Sequence, residues 1–103
     1  MKMMSLLFFT MILALAGCSN KPDSSADGHA LYDYHCADCH RQDGHGNFLE
    51  GIPSNRGTYL SPSEVKTLIT QGLSSKPAMP PVQGLTDEQA DKIVSYLWSL
   101  RKP

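Results

Sequence analysis

The chain reads as all-α, with three main helices joined by long loops. Three observations carry that expectation. Two stretches open with capping boxes, Ser61-Pro62-Ser63-Glu64 and Thr86-Asp87-Glu88-Gln89, and run on into apolar residues at three- and four-residue spacing. A third stretch, Gly28 to His40, places Gly28, Leu31, Tyr32, His35, Cys36, Cys39 and His40 on one stripe behind Asp27 as N-cap. The segments between them are punctuated by glycine and proline, which marks them as loops.

Within the first helix stands Cys36-Ala37-Asp38-Cys39-His40, the attachment signature of a c-type haem. On a helix, Cys36 and Cys39 are three apart and Cys36 and His40 four apart, so the three side chains share a face. Two thiols so placed can form thioethers to the vinyl groups of one haem, and the adjacent imidazole can reach the iron as proximal ligand. Three other readings compete. A thioredoxin-like redox pair needs a βαβ context, and none follows. A zinc site needs a second pair, and the remaining histidines lack the spacing. A disulfide across two residues closes too small a loop to stabilise much.

The chain has 103 residues, with 9 basic and 10 acidic, a balance that argues against nucleic acid. Its 41% apolar content is inflated by the N-terminus, where Lys2 precedes an apolar run from Leu6 to Ala16. Residues 1–17 read as an export signal, the run being too short to span a bilayer. Leu15-Ala16-Gly17-Cys18 resembles a bacterial lipobox, which implies acylation of Cys18 as the mature N-terminus. The alternative is an ordinary cleaved signal with an incidental cysteine, but an unpaired thiol is uncommon in an exported protein. Ser19 to Asp27, polar and containing Pro22, reads as a linker spanning at most roughly 30 Å. Residues 28–103 then form the folded domain, held close to an envelope membrane. Ser19 resembles the sorting residue of outer-membrane lipoproteins, so inner and outer membrane both stay open. A domain this short buries little surface, and a covalent porphyrin would supply missing core.

Along that domain, Gly28 is either a point of close helix approach or a permissive helix start. Arg41 to Leu60 is loop, with glycines at 44, 46, 51 and 57, and would wrap the proximal side of the haem. A ligating histidine normally donates its second N–H to an oxygen, and the Pro53 carbonyl is the candidate acceptor. For Arg56 and Tyr59 surface placement is the leading reading, with hydrogen bonds to a haem propionate the alternative. The second helix, with Leu60 and Val65 as a hydrophobic staple, buries Val65, Leu68 and Ile69 and stops at Gly72. The next loop carries Met79, the sole methionine after the signal, among Pro77, Pro80 and Pro81. Its thioether is a soft neutral ligand suited to Fe(II), against the commoner role of a core methionine. The last helix buries Ala90, Ile93, Val94, Leu97 and Trp98 against the first helix and the haem. His29 and His35 share a helix with His40, and His45 follows it too closely to reach the opposite haem face. All three read as structural or surface residues.

Together these residues resemble a small class I cytochrome c. The pattern is Gly28 and Tyr32 ahead of Cys36, Cys39 and His40, then Ala78-Met79-Pro80, then Ile93, Val94, Tyr96 and Leu97. The resemblance covers residues 28–101. It implies a cytochrome c fold with crossing terminal helices, the haem clamped between His40 and Met79, and an exposed haem edge near Cys36 and Cys39. Two departures are Arg41, where many members have glycine, and Gly51-Ile52-Pro53-Ser54, which lacks the usual Pro-x-Leu.

The function expected is that of an electron carrier rather than an enzyme. It would be exported, lipid-anchored and monohaem, pass single electrons between respiratory-chain partners in or on the same membrane, and cycle between Fe(III) and Fe(II). Two alternatives differ in class. One is a gas sensor or peroxidase with a labile sixth ligand, although Leu73 to Gly84 offers no His, Asp or Glu for distal chemistry. The other is a haem subunit of a dehydrogenase or oxidase complex.

Overall fold

The computed structural model describes residues 21–101; the export signal and Cys18 read from the sequence lie outside them. The fold is helical. In chain order come α1 (Gly28–His35), α2 (Ala37–His40), a short 3-10 helix (Phe48–Glu50), α3 (Pro62–Gln71) and α4 (Asp87–Ser99). Among the described residues the sole β-type pairing is an isolated bridge between Asn47 and Ile52.

The helix starts follow local chemistry. The Asp27 carboxylate accepts from the Ala30 N–H at 2.9 Å and begins α1. Ser61 and Glu64 cap each other reciprocally at the start of α3, as do Thr86 and Gln89 at the start of α4. Each such cap stabilises its helix by about 1 kcal/mol. Gly72, at φ 83°, stops α3.

The expected single helix from Gly28 to His40 is two helices. Cys36 leaves the helical region, at φ −121° and ψ −33°, and divides α1 from α2. The i to i−4 bonds from Cys36 N–H to the Tyr32 carbonyl and from His40 N–H to the Cys36 carbonyl survive at 2.8 and 2.9 Å. The break therefore re-aims the second cysteine and the histidine without ending the helical path. The loop after His40 also contains more order than expected. Asn47 and Ile52 exchange two backbone bonds of 2.9 Å, the Asn47 side chain caps the Glu50 N–H, and Gly51 closes the turn at φ 72°.

Helix α4 is the centre of the packing. Both α1 and α3 lie against it, and not against each other. The α1–α4 contact was expected; the α3–α4 contact was not. The shared core is Leu31, Tyr32 and Cys36 from the first segment, Val65 and Ile69 from α3, and Ala90, Ile93, Val94 and Leu97 from α4. Gly28 is a point of close approach rather than a mere helix start. A Cβ there would collide with the Lys92 carbonyl and stand 3.0 Å from the Tyr96 Cβ. Trp98, expected on the buried stripe, is only half-buried, at the edge of the core. No described helix is long and apolar enough to cross a membrane.

Candidate functional site

The Cys-x-x-Cys-His segment sits where α2 leaves the core. Cys36 is buried within the hydrophobic cluster, Cys39 is exposed, and His40 is buried. Burial, and then the neighbouring Cys39, pushes the Cys36 thiol up to about 12. A dithiol built for redox exchange needs a lowered thiol pKa. The buried Cys36 thiol is shifted the opposite way.

His40 is held by a backbone cradle. Its Nδ1 lies 3.1 Å from the Pro53 carbonyl oxygen. A carbonyl only accepts, so Nδ1 carries the proton and Nε2 keeps the lone pair that can ligate a metal. Gly46 makes the approach possible. It lies at φ 79°, its N–H donates to the His40 carbonyl at 3.0 Å, and a Cβ on it would stand 2.6 Å from the Ile52 oxygen and from the Pro53 carbonyl carbon and oxygen. The sequence marked Gly46 only as a loop residue, because nothing local records that another backbone passes against it.

The residue after the histidine is strained. Arg41, at φ 64° and ψ 163°, is the one non-glycine residue at positive φ among those described. Three bonds pin it. Its N–H donates to the Ala37 carbonyl at 2.7 Å, and its carbonyl accepts from the Gly44 N–H at 3.2 Å and from the Tyr32 hydroxyl at 2.9 Å. A glycine at this position would meet the same geometry without strain.

Tyr32 is fully buried, and its hydroxyl also pairs with the Asn55 side chain at 3.1 to 3.2 Å. Burial holds its pKa up at about 12. This one phenol ties α1 to both ends of the loop around His40. Ser54 adds a bond from its hydroxyl to the Gly44 carbonyl at 2.8 Å.

The remaining sequence candidates are placed as follows. Met79 packs, partly buried, against the core cluster. Its loop is fastened to the end of α3, with the Val82 N–H donating to the Ile69 carbonyl at 2.8 Å and Pro81 lying beside Gly72. Tyr59 is fully exposed. Arg56 contributes backbone: its carbonyl accepts from the Arg101 Nε at 2.8 Å, while another Arg101 nitrogen donates to the Thr58 carbonyl at 2.9 Å. The Arg101 guanidinium also stands 4.0 Å over the Trp98 ring. This clamp between the end of α4 and the loop at 55–59 was not read from the sequence. His29 pairs with Asp33 and stacks on Tyr96, and His45 is exposed, so neither joins His40.

The donor set fits a covalently attached porphyrin. It offers two thiols, one sunk in an apolar cluster and one at the surface, beside an imidazole whose outer nitrogen is already committed to a carbonyl. Comparison with known proteins agrees with the chemistry. Residues 23–97 match the family described as cytochrome c oxidase, cbb3-type, subunit III. The chain is 32% identical over 93 residues to the cytochrome c subunit of 4-cresol dehydrogenase (hydroxylating) from Pseudomonas putida, covering 89% of this chain and 76% of the relative. Among solved structures it superposes on the c-type cytochrome KustC0563 with a TM-score of 0.61 at 26% identity, covering 75% of this chain and all of the other. It also superposes on dihydro-haem d1 dehydrogenase NirN with a TM-score of 0.57 at 29% identity, covering 71% of this chain and 16% of that one.

Proposed function

The chain belongs to the cytochrome c family described as cytochrome c oxidase, cbb3-type, subunit III, and from that membership we propose that it is a membrane-tethered monohaem carrier of single electrons. The observation that carries the reading is the buried His40, its Nδ1 on the Pro53 carbonyl, beside one buried and one exposed cysteine. When bound, haem c supplies the Fe(II)/Fe(III) couple.

The residues divide the work. Cys36 and Cys39 attach the group, and the exposed Cys39 marks the edge through which a partner is reached. His40 would hold the iron through Nε2, its ring orientation fixed by the Pro53 carbonyl and the close approach at Gly46. Met79 would supply a second ligand to the iron, a neutral thioether that favours Fe(II). Its loop, stiffened by three prolines and fastened to α3, limits movement when the oxidation state changes. Burial disfavours the extra charge of the oxidised core and raises the potential. Arg56 and Tyr59 remain candidates for contact with a propionate. Cys18 carries the lipid anchor, so the domain works outside the cytoplasm beside partners in or on the same membrane, where tethering raises their effective concentration.

Met79 gives the decisive test. The native ferrous protein should bind carbon monoxide poorly, because the gas must displace a ligand held by a stiff loop. Met79→Ala should bind it readily and show a lower potential. Rapid binding by the unmutated protein would refute the closed carrier site and favour a gas-binding or peroxidase role.

A second reading is supported by the 32% identity to a dehydrogenase's cytochrome subunit. In that reading the protein is a haem subunit of a dehydrogenase or oxidase complex. Cross-linking in native membranes separates the two: a fixed stoichiometric partner favours the subunit, transient and varied partners the free carrier.

A further inference from the structure

The bond from His40 Nδ1 to the Pro53 carbonyl is 3.1 Å long, and its strength depends on how firmly that carbonyl is aimed. The pyrrolidine ring fixes φ of Pro53, so the Pro53–Ser54 peptide can turn only through ψ of Pro53 and φ of Ser54. The residues that follow resist that turn. The Ser54 hydroxyl donates to the Gly44 carbonyl at 2.8 Å, and the Arg56 N–H donates to the same oxygen at 3.2 Å. Between them the Asn55 side chain reaches the Tyr32 hydroxyl oxygen, its Nδ2 donating at 3.1 Å.

Tyr32 is what makes Asn55 more than a surface tie. The tyrosine is fully buried, and its hydroxyl donates to the Arg41 carbonyl at 2.9 Å. Arg41 follows His40 directly, and Asn55 stands two residues after Pro53. The donor and the acceptor of the imidazole bond are thus both referenced to one buried oxygen. The fit around Asn55 is close, since a Cβ on Gly44 would stand 2.6 Å from Asn55 Oδ1. In Pro53-Ser54-Asn55 the asparagine occupies the place of the leucine in a Pro-x-Leu run. A leucine there could not bond the phenol.

We propose that Asn55 is a positioning residue for electron transfer: by tying the segment after Pro53 to Tyr32 it keeps the Pro53 carbonyl on the His40 imidazole, and so sets the donor strength of Nε2 toward iron and the reduction potential. The inference deepens the haem-carrier reading above and rests on it. Donation from Nδ1 to an oxygen makes the imidazole more basic and Nε2 a stronger donor. A stronger donor favours Fe(III), so the intact tie keeps the potential down. Releasing Asn55 weakens the bond and raises the potential. Mere loosening of the loop acts the other way, because water reaching the site stabilises the charged Fe(III) core and lowers the potential. The two roles differ in sign.

The test compares haem-loaded holoproteins by redox titration and by proton NMR of the ferrous state. Asn55→Ala should raise the potential and speed deuterium exchange of the His40 Nδ1 proton roughly two- to tenfold, the weight of one ordinary hydrogen bond. Ser54→Ala removes one exposed hydroxyl and should move both readouts the same way by less, which keeps the comparison open if Asn55→Ala does not fold. Ser61→Ala is the control. It removes the cap of α3, a helix that does not touch the one carrying His40, and should leave both readouts unchanged. A potential that falls in Asn55→Ala overturns the positioning role, as do wild-type values of potential and exchange in both loop variants. The carrier reading fails separately: wild-type protein that carries no covalent haem overturns that reading and the inference with it, whereas loaded protein with unmoved potentials overturns the inference alone.

Discussion

Gly46 and Arg41 place opposite demands on the same turn of backbone. Gly46→Ala must accept a left-handed φ and a Cβ 2.6 Å from the backbone of Ile52 and Pro53. The combined cost should be at least about 2 kcal/mol. Gly51→Ala is the matched control, because it pays the dihedral alone: φ is 72° and nothing lies within 4 Å. Urea titration of the two holoproteins gives the difference, and equal losses would remove Gly46 from the cradle. Arg41→Gly runs the other way. Relief of a strained dihedral returns about 1–3 kcal/mol, and the looser unfolded chain takes back about 0.5–1. A net gain of about 1 kcal/mol is expected, read as a raised urea midpoint at unchanged slope. The sequence displayed the departure at Arg41 plainly, but not its cost, because a dihedral is set by what binds both ends of the residue. Here those ends are bound by Ala37, Gly44 and Tyr32.

At the level of elements, the capping boxes at Ser61 and Thr86 and the stop at Gly72 were legible because helix ends are signalled within four residues. The break at Cys36 was not. Its cause lies in the packing of Cys36 into the core while Cys39 turns to the surface, and periodicity treats both as members of one stripe. The 3-10 turn escaped for the same reason, since Asn47 and Ile52 find each other across a loop that carries no period. Tyr32 joins these pieces and gives them a pH signature. Its pKa is raised from 10.0 to about 12 by burial. The unfolded chain therefore loses this proton first. The stabilisation is fully present below pH 10 and is lost as pH rises toward about 12. Tyr32→Phe should remove that part of the alkaline decline while lowering stability near neutrality, because Arg41 and Asn55 lose a partner. An unaltered alkaline slope in the variant would mean that Tyr32 does not carry it.

For the whole molecule, the core is small, with α1 and α3 meeting only through α4. On the proposed reading, a porphyrin attached through Cys36 would complete the side of the core on which Cys36 lies. Cys36→Ala/Cys39→Ala should therefore leave the chain largely unfolded, measured as lost helical circular dichroism and rapid proteolysis. A double variant that keeps native helicity would show that the helices suffice alone. Acid–acetone extraction of denatured wild type should leave the haem with the protein. The broad plan was legible, since helices and the attachment segment are local features, whereas the Arg101 clamp joins residues more than forty positions apart. That clamp has a consequence for how the fold opens. Arg101 holds the carbonyls of Arg56 and Thr58 while lying over Trp98, so the loop cannot lift without stripping the cation from the ring and freeing the last turn of α4. The two segments then form a single opening unit. The amides of Thr58 and Leu100, remote in sequence, should exchange their protons for deuterium on one common clock.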